Sequence, residues 1–251
     1  MPSSKSSAPE SLFILGVKVH RVAPSQALAL LESYAAGEER RHVVTVNPEF
    51  CVQALRNAEF KRVLNQADLS LPDGVGLVWA AKLLGKPLRG RVPGVDIVEN
   101  LAGLAAVRRY RLFFLGAAPG VAEAAARVLE RRYPGLEVAG CYGGSPQPEE
   151  DDETVATVNA ARPHFLFVAY GAPQQDLWIV RNRSRLQVPV AMGVGGSFDY
   201  ISGRVSRAPA WMRNLGLEWL YRLVREPWRW RRMLRLPYFA WRVIGQRLGW
   251  G

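Results

Sequence analysis

The sequence predicts an α/β fold: a Rossmann-like, mostly parallel sheet with flanking helices, followed by a C-terminal helical appendage. Short, continuously apolar segments recur along the first 200 residues, and such strands are typical of parallel sheets covered on both faces. Most are followed by a turn and then by a stretch with helical spacing, the alternation that defines βα units. A change of composition near residue 200 predicts the appendage.

The predicted elements alternate along the chain. One or two short strands are expected around Gly16, within 12–22, and six buried strands follow at 43–46, 68–71, 111–115, 136–139, 164–169 and 188–192. The spacing of apolar residues predicts helices at 25–36, 49–65, 75–84, 95–107, 121–133 and 151–161. Pro48 fits the start of the second helix, because proline is favoured at the first helical position.

Charge is distributed unevenly along the 251 residues. The formal net charge is +11, and the segment 200–251 carries +9 of it, with eleven Arg, two acids and no Lys. The same segment holds six of the eight Trp. A basic, Trp-rich segment indicates contact with an anionic surface, either membrane headgroups or nucleic acid.

We therefore predict three parts: a disordered N-terminus at 1–11, a Rossmann-like catalytic domain at 12–199, and a membrane-associating helical appendage at 200–251. No apolar run reaches the ~20 residues that span a bilayer, and the run at 12–17 is too short for a signal peptide. Cys51 and Cys141 lie in apolar surroundings and are expected to be reduced core residues of a cytosolic protein.

The stretch 67–96 carries the main candidate for chemistry. Asp73 follows a predicted strand and precedes Gly74, which places its carboxylate at the carboxyl end of the strand, where open α/β sheets bind ligands. Asp73 either faces that crevice or only caps the next helix, and the stretch alone leaves both open. Arg89 and Arg91 follow, so that an anion-binding arginine is expected beside the carboxylate.

Other strand ends also carry residues suited to a ligand site. Thr45 and Asn47 end one strand, where ordinary strand-to-helix turn chemistry is the simpler interpretation. Gly116 opens a turn in the strand–turn–helix context of a phosphate-binding loop, without the spacing of the dinucleotide fingerprint. The last strand ends in glycines that either let the backbone approach a ligand or form a tight turn: Gly193, Gly195 and Gly196.

The acidic run at 149–153 is the one stretch that invites a metal interpretation. It fits better as the acid-rich first turn of the helix at 151–161, which the helix dipole favours. The three histidines have no metal-ligand spacing. We predict neither a metal site nor a cofactor.

Eight motifs, in this order, resemble the WecG/TagA/CpsF glycosyltransferases, family 26. The resemblance covers about 12–235. The motifs are T-V-N-P-E at 45–49, L-P-D-G-V-G at 71–76, R-V-P-G-V-D at 91–96, F-L-G-A-A-P-G at 114–120, G-A-P-Q-Q-D-L-W at 171–178, G-V-G-G-S-F-D at 193–199, R-A-P at 207–209 and E-W-L-Y-R-L at 218–223.

The resemblance implies an inverting, metal-independent glycosyltransferase. Its partners would be a UDP-sugar donor and a polyprenyl-diphosphate-linked acceptor, in cell-surface polysaccharide or teichoic-acid biosynthesis. The donor sugar of the best-known members is N-acetylmannosamine or its uronic acid. The implied location is cytoplasmic, peripherally associated with the inner face of the cell membrane. The donor sugar, the final polymer and a homo-oligomeric state stay open.

The resemblance also implies roles for residues. Asp73 matches the general base, with Thr45 and Asn47 beside it, and Arg91 and Gln175 would hold donor or acceptor groups. Asp176 stands where the family usually has Glu. The remaining residues expected to bind substrate are Gly116, Gly193, Gly195, Gly196, Asp199 and, from the appendage, Arg222, Arg229 and Arg232.

The residues agree with this chemistry. The diphosphate leaving group of a nucleotide-sugar needs positive charge or amide donors, which arginines supply where a metal is absent. One carboxylate suffices to deprotonate an acceptor hydroxyl. Two alternative functions are disfavoured. A basic nucleic-acid-binding protein is disfavoured because the sequence shows no recognisable nucleic-acid-binding module. A nucleotide-binding oxidoreductase is disfavoured because neither the glycine fingerprint nor the ribose-binding acid is clear.

Overall fold

The computed structural model describes residues 9–225, 227 and 230–250, with the backbone alone at 214, 222, 231 and 232. The strands are β1 (Ser11–Ile14), β2 (Val17–His20), β3 (Arg41–Val46), β4 (Leu69–Pro72), β5 (Arg111–Gly116), β6 (Glu137–Tyr142), β7 (Phe165–Ala169) and β8 (Val190–Gly193). The helices are α1 (Pro24–Ala35), α2 (Pro48–Ala54), α3 (Ala58–Gln66), α4 (Val75–Leu83), α5 (Gly94–Arg108), α6 (Val121–Arg132), α7 (Asp151–Ala160), α8 (Gln174–Asn182), α9 (Ser197–Ile201), α10 (Ala210–Asn214), α11 (Glu218–Arg225), α12 (Trp230–Met233) and α13 (Arg235–Leu248).

Six strands form one parallel sheet in the order β4-β3-β8-β7-β5-β6, and β1 and β2 form a separate antiparallel hairpin. The predicted Rossmann-like α/β fold is confirmed. Because all six strands are parallel, their carboxyl ends lie along one edge of the sheet. The last strand, β8, lies beside β3, so that residues near 45 and near 193 meet at that edge.

Side chains alternate between the two faces of the sheet, and helices cover both faces. On β5, Leu112 and Phe114 pack in a core with α1, α5, α6 and α9. Phe113 and Leu115 face the other side, where they pack with Trp178 of α8 and with α7. This two-sided burial is the reason why the inner strands are largely apolar, whereas the edge strand β6 has no buried residue.

The prediction of one helix over 49–65 is wrong. The structure has two helices, α2 and α3, separated at 55–57. The side chain of Asn57 accepts a hydrogen bond from Phe60 N at 2.9 Å, which makes Asn57 the N-cap of α3. The apolar spacing continues across the break, and only this capping residue marks it in the sequence.

The C-terminal segment 200–251 does not lie apart from the rest of the chain. Its last helix, α13, buries Phe239 and Val243 in a core shared with β1, β2, α2, α3 and α4. The amide of Gln246 holds the turn between β1 and β2, accepting from Leu15 N at 2.8 Å and donating to Phe13 O at 3.0 Å. The segment therefore completes the core beside the hairpin.

Candidate active site

Three neighbouring strands, β4, β3 and β8, bring polar residues together at the carboxyl edge of the sheet. Asp73 follows β4, Thr45 lies near the end of β3, and the glycine turn 193–196 follows β8. Thr45 Oγ1 donates a hydrogen bond to Gly193 O at 3.1 Å, which fixes β3 to the start of that turn. The strand order itself thus assembles residues that lie 148 positions apart.

Asp73 does not cap the helix that follows it. The N-cap of α4 is Gly74, and the Asp73 carboxylate turns instead toward the start of α5, where Oδ2 lies 3.5 Å from Gly94 N. Asp73 is partly buried. Capping of the following helix, one of the two interpretations that the sequence left open, is therefore not what the structure has, and a role of Asp73 toward a ligand stays a prediction.

The surroundings of Asp73 favour its protonated form. Burial raises the pKa of Asp73 to about 7, the hydrogen bond from Gly94 opposes that rise, and the nearby carboxylates of Glu218 and Asp96 add to it. Arg207 acts in the opposite direction. A carboxyl group that titrates near neutral pH is suited to accept a proton during a reaction.

Gly94 lies at the centre of this arrangement. A β-carbon there would lie 3.3 Å from Thr45 Cγ2 and 3.4 Å from Ser197 Oγ, so that the first residue of α5 packs tightly against β3 and α9. The close approach places the backbone N–H of Gly94 beside Asp73. In the sequence, Gly94 is the glycine of the motif R-V-P-G-V-D at 91–96, and the motif alone does not reveal this packing role.

Gln175 and Asp176 are fully buried behind the glycine turn. Gln175 Oε1 accepts from Gly195 N at 2.9 Å, and its Nε2 lies 3.4 Å from Asp176 Oδ2. Asp176 in turn lies 3.3 Å from the ring nitrogen Nε2 of His42, which is also buried. Gln175 thus shapes the turn 193–196, and the buried His42 supports Asp176 from behind.

Asn47 has the ordinary turn role. Its side chain accepts from Phe50 N at 3.0 Å and caps α2. Arg91 is also engaged, because its Nη2 donates to Arg213 O at 2.9 Å and thereby ties the loop before α5 to α10. Their chain neighbours bond to the end of β4, since Val46 O accepts from Asp73 N and Val92 N donates to Pro72 O, each at 2.7 Å. The substrate contacts of Asn47 and Arg91 stay a prediction.

The other predicted binding residues lie in different places. Gly116 ends β5, which is separated from β8 by β7, so that it is not gathered with Asp73. Asp199 lies on α9, and its backbone oxygen accepts from Val205 N at 3.0 Å. Arg229 and the side chains of Arg222 and Arg232 lie outside the described residues.

The acidic run at 149–153 is engaged in ion pairs. Asp151 pairs with Arg181 of α8 at 2.6 Å. Asp152 pairs with Arg185, which lies shortly after the end of α8. The run begins α7, as predicted. Across the part of the chain that the structure describes, no group of three or more His, Cys, Asp or Glu side chains is arranged to hold a metal ion.

Comparison with known proteins gives a family and close relatives. The model of the glycosyl transferase WecG/TagA/CpsF family matches residues 12–250. A Bacillus spizizenii protein named N-acetylglucosaminyldiphosphoundecaprenol N-acetyl-beta-D-mannosaminyltransferase is 41% identical over 202 residues, 80% of this chain and 78% of the relative. A Bacillus subtilis protein with the same name is 38% identical over 204 residues, 80% of this chain and 78% of the relative. A Staphylococcus aureus protein with the same name is 32% identical over 232 residues, 92% of this chain and 91% of the relative.

Proposed function

Because the chain belongs to the WecG/TagA/CpsF glycosyltransferase family, we propose that it transfers N-acetylmannosamine from a UDP-linked donor to N-acetylglucosaminyl-diphosphoundecaprenol. The acceptor and the sugar are those in the names of its relatives. The related hexoses and uronic acids considered from the sequence remain alternative donors. Neither the family match nor the geometry supports the oxidoreductase or nucleic-acid-binding alternatives.

The observation that carries the proposal is the carboxylate of Asp73 at the carboxyl end of β4, beside Gly94 N and with a pKa of about 7. The carboxylate accepts the proton of the acceptor hydroxyl as the hydroxyl oxygen bonds to the anomeric carbon of the donor. The bond from that carbon to the diphosphate oxygen breaks, and its electron pair leaves with UDP. One such displacement inverts the anomeric carbon. A positioned base of this kind contributes roughly 10²–10⁴-fold.

The diphosphate is proposed to lie against the glycine turn 193–196, where the backbone approaches a ligand closely. Gln175 holds Gly195 and keeps that turn in place. Positive charge for the leaving group is proposed to come from the C-terminal segment, through Arg222, Arg229 and Arg232. Arginine donates in a planar fork that matches phosphate oxygens, so this reaction is proposed to need no metal ion.

We also propose that the C-terminal segment docks on the inner face of the cell membrane. It exposes large apolar side chains beside its many arginines: Trp211, Leu215, Trp219, Val224, Trp241, Ile244 and Leu248. Such side chains enter the boundary of headgroups and acyl chains, while arginines attract anionic lipids. Among the described residues, no helix is both long and apolar enough to cross a membrane.

The transfer is tested by incubating the protein with N-acetylglucosaminyl-diphospho-lipid and one UDP-sugar at a time. UDP-N-acetylmannosamine should give a lipid heavier by one N-acetylhexosamine unit, while its epimer UDP-N-acetylglucosamine should give little product. Mass spectrometry of the lipid measures both. Product from the epimer alone, or from neither sugar, would contradict the proposed donor.

Docking is tested by sedimenting the protein with vesicles. Vesicles that contain phosphatidylglycerol should retain the protein at low salt and release part of it as salt rises, because salt screens exposed charges. Vesicles of phosphatidylcholine alone should retain less. Equal retention by both kinds of vesicle would contradict the electrostatic part of the proposal.

A further inference from the structure

The guanidinium of Arg207 lies between two carboxyl groups, those of Asp96 and Glu218. Arg207 Nη1 lies 2.5 Å from Asp96 Oδ1, and Arg207 Nε lies 3.6 Å from Glu218 Oε1. The charges of Asp96, Glu218 and Arg207 all act on Asp73. Among the described residues that influence Asp73, one positive charge thus opposes two negative ones.

These groups come from both parts of the chain. Asp96 lies in the first turn of α5, the helix whose first N–H, that of Gly94, faces the Asp73 carboxylate. Arg207 lies 111 residues beyond Asp96, in the loop before α10, and Glu218 begins α11. Arg207 therefore connects the turn that holds Asp73 to a helix of the C-terminal segment.

The contact is substantially shielded from water. The side chain of Arg207 is 18% exposed and that of Glu218 is 26% exposed, and Arg207 Nε is buried. Charges in such positions are screened less than surface charges. The bridge therefore acts on Asp73 more strongly than an exposed ion pair of the same composition would.

We propose that Arg207 and Glu218 are positioning residues through which the C-terminal segment sets the strength of Asp73 as a base. Arg207 fixes α11 against α5, and Glu218 brings a further negative charge to the side of Asp73. The inference rests on the proposed function, in which Asp73 accepts the acceptor's proton. Both residues act through Asp73, and they act in opposite directions.

The opposite signs give the inference its test. Glu218→Gln removes a charge that raises the pKa of Asp73, so that the pKa should fall. Arg207→Gln removes a charge that lowers the pKa of Asp73, so that the pKa should rise. Arg207→Lys keeps the charge and should stay close to the wild type.

The pKa is measured on the full chain by NMR titration of ¹³C-labelled aspartate carboxyl groups, with Asp73 assigned from the signal that Asp73→Asn removes. The acidic limb of kcat/KM against pH is measured in parallel and should move in the same directions. Glu32→Gln is the matched control, because Glu32 pairs at 2.7 Å with Arg108, the last residue of α5, at the far end of that helix from Asp96. It should leave both measurements unchanged.

A shift in the same direction for Glu218→Gln and Arg207→Gln, or no shift in either, would overturn the inference. If Arg207→Gln does not fold, Glu218→Gln and Arg207→Lys still decide it, because only the former should lower the pKa. A pKa that moves as expected while the rate profile stays fixed would keep the electrostatic coupling and refute Asp73 as the base. The inference and the proposed function therefore fail in different measurements.

Discussion

At Gln175 both ends of the amide are engaged inside the protein, one with Gly195 N and the other near Asp176. The sequence resemblance placed Gln175 among the groups that hold donor or acceptor, and that role stays a prediction, since the side chain is fully buried beside the glycine turn. Its partners were not predictable, because they depend on β8 lying next to β3 and on α8 packing behind the turn. At this scale the sequence identified the residue but not its contacts.

Gly193 offers a test of that packing. A β-carbon at Gly193 would lie 2.4 Å from Gln175 Nε2 and 2.6 Å from Asp176 Oδ1, closer than atoms can approach. Gly193→Ala should therefore displace the buried pair, destabilise the chain by about 1–3 kcal/mol and lower kcat/KM. Urea unfolding and steady-state kinetics measure the two effects.

Gly143→Ala is the matched control, because a β-carbon there would meet nothing within 4 Å. It should leave activity unchanged and stability unchanged or slightly raised. Equal losses in the two variants would contradict the account of the buried pair behind the turn.

Asp73 should also leave a signature in stability. Its pKa is about 7 in the folded chain and near 3.8 when unfolded, so the folded state becomes less stable as pH rises from about 4 to about 7. Asp73→Asn cannot ionise and should escape this loss. Its stability relative to the wild type should rise across that window, by about 2 kcal/mol for this partly exposed group, and then stay constant.

Thermal unfolding at pH 4 and pH 8 measures that difference. Asp152→Asn is the control, because the Asp152 side chain is 93% exposed. A stability difference between Asp73→Asn and the wild type that is the same at both pH values would contradict the raised pKa of Asp73.

At the scale of elements, the apolar strands were predictable, because burial on both faces leaves a continuous apolar run. All six strands of the sheet occur where the sequence predicts them, with ends that differ by up to three residues. The break between α2 and α3 was not predicted, since Asn57 caps α3 without interrupting the apolar spacing. The packing of α13 on the β1–β2 hairpin was not predicted for another reason. The counts of Arg and Trp in the segment reflect the exposed face of the helix and give no information about its buried face.

Two faces of α13 should respond differently to substitution. Phe239 is buried in the shared core, and Phe239→Ala should destabilise the whole chain by about 3–5 kcal/mol in a single unfolding transition. Trp241, on the same helix, is 58% exposed, and Trp241→Ala should change stability by less than about 0.5 kcal/mol while it weakens binding to anionic vesicles.

Chemical denaturation and vesicle sedimentation separate the two effects. If Phe239→Ala unfolds the C-terminal segment alone and leaves a cooperative core, α13 does not stabilise the rest of the chain. If Trp241→Ala binds vesicles as the wild type does, the exposed face of α13 is not part of the docking surface.

At the scale of the molecule, contacts between distant parts of the chain set the limit of prediction. The sequence indicated separately that the C-terminal segment is basic and that Asp73 is a candidate base. The bridge from Asp96 through Arg207 to Glu218 connects the C-terminal segment to the helix beside Asp73, and no local sequence spacing predicts it. The charges that surround Asp73 could therefore be identified only from the folded structure.

Metal independence is a property of the whole site and should appear in a simple assay. Saturating EDTA should leave turnover within about twofold of the untreated enzyme, because arginines are proposed to stabilise the leaving diphosphate. Added Mg²⁺ or Mn²⁺ should change it little. Loss of turnover with EDTA and recovery with Mn²⁺ would contradict this part of the account and return attention to the acids at 149–153.

The central claim, that Asp73 is the base of a glycosyl transfer, is tested most directly by the turnover of Asp73→Asn with UDP-N-acetylmannosamine and the lipid-linked acceptor. The substitution keeps the size of the side chain and removes its basicity, and circular dichroism checks that the variant is folded. The account predicts a folded variant whose turnover is lower by roughly two orders of magnitude or more. A folded variant with near wild-type turnover would contradict it.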